Sequence, residues 1–295
     1  MNKDIQFDRA LLALAEIYIS IYEFDMVNNS LQPIKSNQYI DALSASVEGA
    51  QEKLYNVMKN ITVAEHIDLI MEFCDLSTLR ERIGDKKDIS TVFTGKINGW
   101  CRARFIVLER DETGKISQVL YTVECIHEEK LRENHLLYLS QTDLLTNIYN
   151  RGHGEKAISD LIDNKQLGMF ILFDVDKFKL VNDRYGHHIG DEVLIKVAEA
   201  LTKVVSSGDI AMRLGGDEFA AYFPNVKDKA EGEALINKVF EQIALIHIEP
   251  MEEPVSISLG ARFVKETDDF DTVYKSADSG VYVSKNSKGS SFDLQ

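Results

Sequence analysis

Arg213-Leu214-Gly215-Gly216-Asp217-Glu218-Phe219 is flanked by apolar residues on both sides, Ile210, Ala211 and Met212 before it and Ala220 to Phe223 after it. The pattern predicts a β-hairpin over 209–223 with Gly215-Gly216 at its tip and acids opening its second strand. Glycines there admit positive φ and let a bulky ligand approach the backbone. Two adjacent carboxylates at such a tip have no packing role, and a hard cation takes oxygen ligands. A solvated hairpin would look the same, so the hairpin alone does not decide. A second acidic cluster, Asp174 and Asp176, follows the apolar run Met169-Phe170-Ile171-Leu172-Phe173, which predicts a buried strand ending at Asp174.

The stretch after that strand is Val175-Asp176-Lys177-Phe178-Lys179-Leu180-Val181-Asn182-Asp183-Arg184-Tyr185-Gly186-His187-His188-Ile189-Gly190-Asp191. A carboxylate at the end of a buried strand stands where α/β sheets place ligands. Backbone N–H groups and lysines follow at once. Asp174 and Asp217 together could hold Mg²⁺ and leave coordination positions for phosphate oxygens. Asn182 and Asp191 offer groups suited to a purine edge; a carboxylate can accept both N–H groups of guanine's N1/N2 side. Asp176 and Asp183 could equally be structural or solvated, and Lys179 could simply cover a helix end.

The remaining elements of this half alternate. Helices are expected over Gly154–Asn164, from Gly190-Asp191 to about Val205, over Lys227–Leu245 and from Phe270 to about Asn286, with a strand over Val255–Phe263. Helices around a mixed sheet with a central antiparallel hairpin make an α+β domain.

Upstream, a short helix is expected over Asp8–Ile17, strands over Tyr18–Asp25 and Leu31–Lys35, and helices from Tyr39 to Arg82 with a break near Asn60-Ile61-Thr62. A short helix restarts at Asp75–Leu79, with Asp75 or Ser77 able to cap it. Three strands follow between Ile89 and Cys125. Residues 127–142 predict a polar helix with Leu131, His135, Tyr138 and Thr142 at three-to-four spacing, able to pair with its copy or to pack on its own domain.

Composition sets limits. The 295 residues suffice for two domains, and 44% hydrophobic with 27% charged residues is ordinary for a globular chain. The net charge of -15 argues against general attraction to nucleic acid or anionic membrane. Three scattered cysteines, without CxxC, make a zinc site or disulfide framework unlooked-for. With no signal pattern and no apolar run long enough for a membrane span, a cytoplasmic protein is expected.

Taken together, Asp174 to Asp191 and Gly215-Gly216-Asp217-Glu218-Phe219 resemble the GGDEF family, the diguanylate cyclases. Asp143-Leu-Leu-Thr-Asn-Ile-Tyr-Asn-Arg151 resembles the family's opening motif and Ser276–Lys285 its closing one. The resemblance covers about 140–295. It implies a nucleotidyl-cyclase or palm-like fold and condensation of two GTP into cyclic di-GMP, with release of pyrophosphate. Carried over by motif, the metal ligands for Mg²⁺ (or Mn²⁺) are Asp174, the Val175 carbonyl, Asp217 and Glu218, with Glu218 also the candidate base. Asn182 and Asp191 read guanine, and Asp191 favours GTP in both sites. Lys177, Phe178 through its backbone N–H, Lys179 and Lys285 meet the phosphates.

Two departures stand out. The arginine expected after Lys285 is absent, with Lys288 as a possible substitute. The inhibitory Arg-x-x-Asp becomes Ser206-Ser207-Gly208-Asp209, so feedback inhibition of the usual kind is not expected. The element order of the N-terminal half resembles a PAS-type sensory domain, for which no cofactor is assignable and the signal ligand is unknown. The implied layout is a PAS-like domain at 1–126, a helical linker at 127–142 and a catalytic domain at 143–295, working as a homodimer because two GTP must face each other. The rival reading is a catalytically weak domain that senses GTP or cyclic di-GMP.

Overall fold

The computed structural model describes residues 13, 15–285 and 291–294. The helix expected over Asp8–Ile17 lies largely outside them, as does Lys288. The chain divides into two compact units, Met1–Asn134 and His135–Gln295. Among the described residues no helix is long and apolar enough to cross a membrane.

In the first unit, β1 (Tyr18–Asp25) and β2 (Ser30–Lys35) are followed by α1 (Gln38–Ser44), α2 (Ala50–Ile61), a 3-10 turn (Ala64–His66), α3 (Ile67–Phe73) and α4 (Leu79–Ile83). Then come β3 (Asp88–Gly95), β4 (Gly99–Arg110) and β5 (Ile116–Cys125). The sheet order is β2-β1-β5-β4-β3, with every neighbouring pair antiparallel. β2 is an edge strand, which is where Pro33 is tolerated. Along β4, Cys101, Ala103 and Phe105 are buried while Arg102 and Arg104 are only partly so, the alternation of a sheet packed on one face. Phe105 meets Tyr121 and Phe73 with ring centroids 4.8 and 5.4 Å apart. The restart expected at Asp75 comes only at Leu79. The Asp75 carboxylate instead accepts from the Ser77 backbone N–H (2.9 Å) and hydroxyl (2.6 Å), closing a local turn.

α5 (His127–Gln141) starts two residues after β5 and has no buried residue. The division between the units falls inside it.

The second unit runs β6 (Tyr149–Asn150), α6 (Arg151–Asp163), β7 (Met169–Val175), α7 (Phe178–Tyr185), α8 (His187–Thr202), β8 (Ile210–Gly215), β9 (Glu218–Phe223), α9 (Lys229–Ala244), β10 (Ile257–Phe263), α10 (Phe270–Ser284) and β11 (Ser291–Leu294). Its sheet order is β11-β10-β7-β9-β8-β6. The outer pairs, β10–β11 and β6–β8, are parallel and the inner ones antiparallel, so the expected mixed α+β sheet is what forms.

All seven residues of β7 are buried because both faces are covered. Met169, Ile171, Phe173 and Val175 pack in one core with Val193, Val197 and Leu201 of α8 and Ile236 and Val239 of α9. Phe170 and Leu172 pack in the other, with Ile158 and Ile162 of α6 and Val273, Ala277 and Val281 of α10. The two-residue period therefore puts Asp174 on the α6/α10 side, at the end of the strand.

Candidate active site

The hairpin differs from its expected form by one residue. Arg213 pairs with Phe219 but Gly215 with Glu218, so Leu214 is the extra residue of a bulge. The turn is made by Gly216 and Asp217, not by Gly215-Gly216. Gly215 (φ 148) and Gly216 (φ 55) hold conformations an L side chain rarely adopts. As a result Asp217 occupies the tip, and Glu218 heads β9 directly opposite Asp174 of β7. The Val175 N–H donates to the Asp217 carbonyl at 3.2 Å, tying tip to strand end.

Three acids thus meet. Asp174 is 8% exposed. One of its oxygens accepts from Lys285 Nζ at the end of α10, while Oδ1 is buried with no partner among the described residues. Burial raises the Asp174 pKa, Lys285 opposes that rise, and Asp217 and Asp176 add to it. Glu218 is exposed along much of its length, yet partial desolvation of its carboxyl, then Asp217, Asp174 and Asp278, hold its pKa above the ordinary carboxylate range.

Among the described residues no three His, Cys, Asp or Glu side chains group tightly enough to hold a metal by themselves. The set still fits a hard cation. The buried Asp174 Oδ1 has no donor among the described residues, further carboxylates lie beside it, and main-chain and phosphate oxygens would complete the shell.

Asp176 has a different role. Its carboxylate accepts from the hydroxyls of Ser256 and Ser258, both at 2.6 Å, and its N–H donates to the Ser256 carbonyl. It fastens the exit of β7 to β10, so its oxygens are already satisfied.

Lys177 is left-handed (φ 55) and precedes α7 without a side-chain cap. The N–H groups of Phe178 and Lys179 open that helix, where no helical carbonyl reaches them and an anion is favoured. The Lys177 and Lys179 side chains are exposed.

α8 starts at His187, three residues ahead of the expected Gly190, because Gly186 (φ 86) already ends α7. Gly190 has another function. A Cβ there would lie 2.0 Å from Asn182 Oδ1 and 3.3 Å from the Phe178 ring. Its absence lets Asn182 of α7 lie against α8 beside Asp191, which is exposed. Asn182 therefore stands where α7 meets α8, against the residue that precedes Asp191.

Sequence reasoning missed what holds the hairpin. Arg213 Nε and Nη2 donate to the Gly216 carbonyl (3.1 and 2.7 Å), and Nη1 donates to both oxygens of Asp143 (3.0 and 3.2 Å). Thr146 donates its N–H (2.9 Å) and hydroxyl (2.7 Å) to the same carboxylate. Burial would raise the Asp143 pKa, but the bonds from Thr146 and Arg213 outweigh it and the carboxyl sits below its ordinary range. Nearby, Asn150 Nδ2 donates to the Ser140 carbonyl (2.8 Å), and Tyr149-Asn150 pair with Met212-Arg213. The end of α5 is thereby connected to the hairpin tip. Both ends of the ion pair stand in motifs visible in the sequence, but they are 70 residues apart and nothing local pairs them.

Comparison with known proteins agrees with this geometry. The family described as diguanylate cyclase, GGDEF domain, matches residues 140–291. The probable diguanylate cyclase DgcJ of Escherichia coli (strain K12) is 34% identical over 153 residues, 50% of this chain and 30% of that one. The response regulator PleD of Caulobacter vibrioides is 34% identical over 178 residues, 55% of this chain and 38% of that one. The uncharacterized protein YtrP of Bacillus subtilis is 45% identical over 91 residues, 31% of this chain and 16% of that one. The chain thus spans less than two fifths of the length of these relatives. A solved structure of the coiled coil and GGDEF domain of DgcB from Caulobacter crescentus, in complex with c-di-GMP, shares the fold. Its TM-score is 0.52 at 24% identity, covering 57% of this chain and 93% of that one. By the match over half its length, and by the site built on its hairpin, this chain belongs to the GGDEF family of diguanylate cyclases.

Proposed function

We propose that this chain condenses two GTP into cyclic di-GMP and releases pyrophosphate. The observation that carries this is the buried Asp174 Oδ1, without a partner among the described residues and set opposite Glu218 and beside Asp217. Mg²⁺ (or Mn²⁺) held by Asp174, Asp217 and the Val175 carbonyl, with Glu218 alongside, would neutralise phosphate charge and polarise the α-phosphate when bound.

The chain's own groups do the rest. Asn182 of α7 and Asp191 of α8 hold the guanine edge. The Phe178 N–H, Lys177 and Lys179 receive phosphate oxygens at the start of α7. Lys285 meets phosphate from α10 and exchanges it for its present partner, Asp174. Glu218, at the head of β9, takes the proton of the attacking 3′-hydroxyl.

One domain presents one such site, so two copies must face each other. α5 supports a homodimer: Leu131, Leu136, Leu137 and Tyr138 are all exposed on it. The first unit supports a PAS-like sensory reading through its two strands, intervening helices and three strands, with β1 between β2 and β5. This layout, with residues 1–126 sensing, 127–142 linking and 143–295 catalysing, suits a cytoplasmic protein, where GTP is found.

The test is incubation of the purified chain with GTP and Mg²⁺, followed by chromatography. Cyclic di-GMP is expected from the wild type and none from Asp217→Ala. GTP bound but never converted would favour a binding module instead. Added cyclic di-GMP should not inhibit potently. Ser206 stands where an inhibitory-site arginine would be, and Asp209 accepts from the Ser206 N–H within its own turn.

A further inference from the structure

Cys101 of β4 and Cys125 of β5 are direct partners in an antiparallel pair, with no register shift near them. Directly opposed residues point to the same face of a sheet, with Cα atoms roughly 4.5–5.5 Å apart. That spacing falls inside the roughly 4.4–6.8 Å that a disulfide spans. Both sulfurs also face one turn. Cys101 Sγ lies 3.5 Å from the Gly99 carbonyl and Cys125 Sγ 3.4 Å from the Asn98 carbonyl.

The two thiols differ in reach. Cys125 is exposed and Cys101 is buried. Burial, and then the neighbouring Cys125 sulfur, push the Cys101 thiol up to about 12. Cys101 is not sealed off, since a cavity of about 270 Å³ lined by Ile61, Phe93, Gly95, Asn98 and Cys101 reaches it. The third cysteine, Cys74, is fully buried elsewhere, 3.5 Å from the Tyr121 hydroxyl.

We propose that Cys101 and Cys125 are a redox modification site, closing a reversible cross-strand disulfide when a peroxide reaches them. Exposed Cys125 gives up its proton and its sulfur attacks the peroxide; the O–O bond breaks, Cys125 becomes a sulfenic acid, and the departing hydroxide takes up that proton as one water. Cys101 then gives up its proton and attacks the Cys125 sulfur. The S–S bond forms, the S–O bond breaks, and hydroxide leaves with that proton as a second water. Two thiols lose two electrons and one peroxide gains them. In chains of reducing compartments such bonds are characteristically sensing ones. This one would lock the end of β5 two residues before α5 begins.

The full-length chain, reduced and then exposed to hydrogen peroxide, tests this by thiol titration after denaturation. Loss of two of the three thiols is expected, restored by dithiothreitol, with peptide mapping that joins Cys101 to Cys125 within one chain. Cys125→Ser, a change at an exposed position, should keep both remaining thiols under the same exposure. Three thiols surviving, a bond to Cys74, a link between two chains, or a higher oxide on Cys125 with Cys101 still free would each overturn the proposal. The titration uses no GTP, so its failure is distinct from failure of the cyclase reading.

Discussion

The two units place their charged groups differently. In the five-stranded sheet unit, Arg102 and Arg104 pair with Glu124 on the neighbouring strand, and three other guanidinium groups go to backbone carbonyls. Arg82 bonds the Phe73 and Asp75 carbonyls, Arg80 those of Ile116 and Met26, and Arg110 those of Gly84 and Lys86. In the six-stranded sheet, Asp174, Asp217 and Glu218 crowd one strand end, with the Lys285 ammonium bonded to one of them. The first arrangement stabilises the fold. The second raises the pKa of two carboxyls and leaves a buried oxygen without a donor among the described residues, the pattern of a candidate ligand site.

The sharpest way to break that comparison is Asp174→Asn. If the acids exist for a bound cation, product formation should fall on the order of 10³-fold, since a metal supplies several kcal/mol. The same change removes a buried charge from among like charges, so the melting temperature should rise, by about 2–4 °C for a gain of ~1 kcal/mol. A variant that was both less active and clearly less stable would mean that Asp174 serves structure, as Asp176 does.

A smaller effect is expected at Asp143→Asn, where the second unit does use an ion pair for structure. The pair is only partly exposed, at 12% for Arg213 and 26% for Asp143. Its loss should cost about 2 kcal/mol, between the ~1 of a surface pair and the ~3–5 of a buried one. Turnover should fall with it because the Gly216 corner loosens. The pH dependence follows from the sign of the shift. Asp143 has a depressed folded pKa, so its stabilisation is complete above the unfolded value of about 3.9 and is lost as pH falls through the folded value. Denaturant melts of wild type and variant should therefore converge in acid and differ most near neutrality.

The smallest change belongs to the first sheet's unit. Arg82→Ala should lower stability by about 1–2 kcal/mol through the two carbonyl bonds it removes, with product formation by the second unit intact. Turnover lost in proportion to stability would erase the distinction between the two sheets.

Much of the second unit was readable in the chain because its signals are local. The buried run at 169–173, the glycine pair and the spacing of Asn182 and Asp191 each state their own geometry. Boundaries moved where a neighbour overrode local preference. Gly190 resembles a helix start, yet it sits inside α8 because Asn182 needs the space its missing Cβ leaves. Asp75 resembles a cap, but closes a tighter turn with Ser77. The hairpin tip shifted by one residue because Leu214 bulges, and a two-residue period turns a one-residue shift into a change of face.

From the chain alone followed the identity of the acids, their family pattern, and the alternation that makes two sheets. Tertiary structure decided which acid is free and which is taken. Asp174 and Asp176 are two residues apart and chemically identical, but only Asp176 meets the hydroxyls of Ser256, just before β10, and Ser258 on it, about 80 residues away. Tertiary structure likewise paired Asp143 with Arg213, and Cys101 with Cys125 across two strands. Long-range partners set desolvation and hydrogen bonding, and those set whether a carboxylate is a fastening or a ligand.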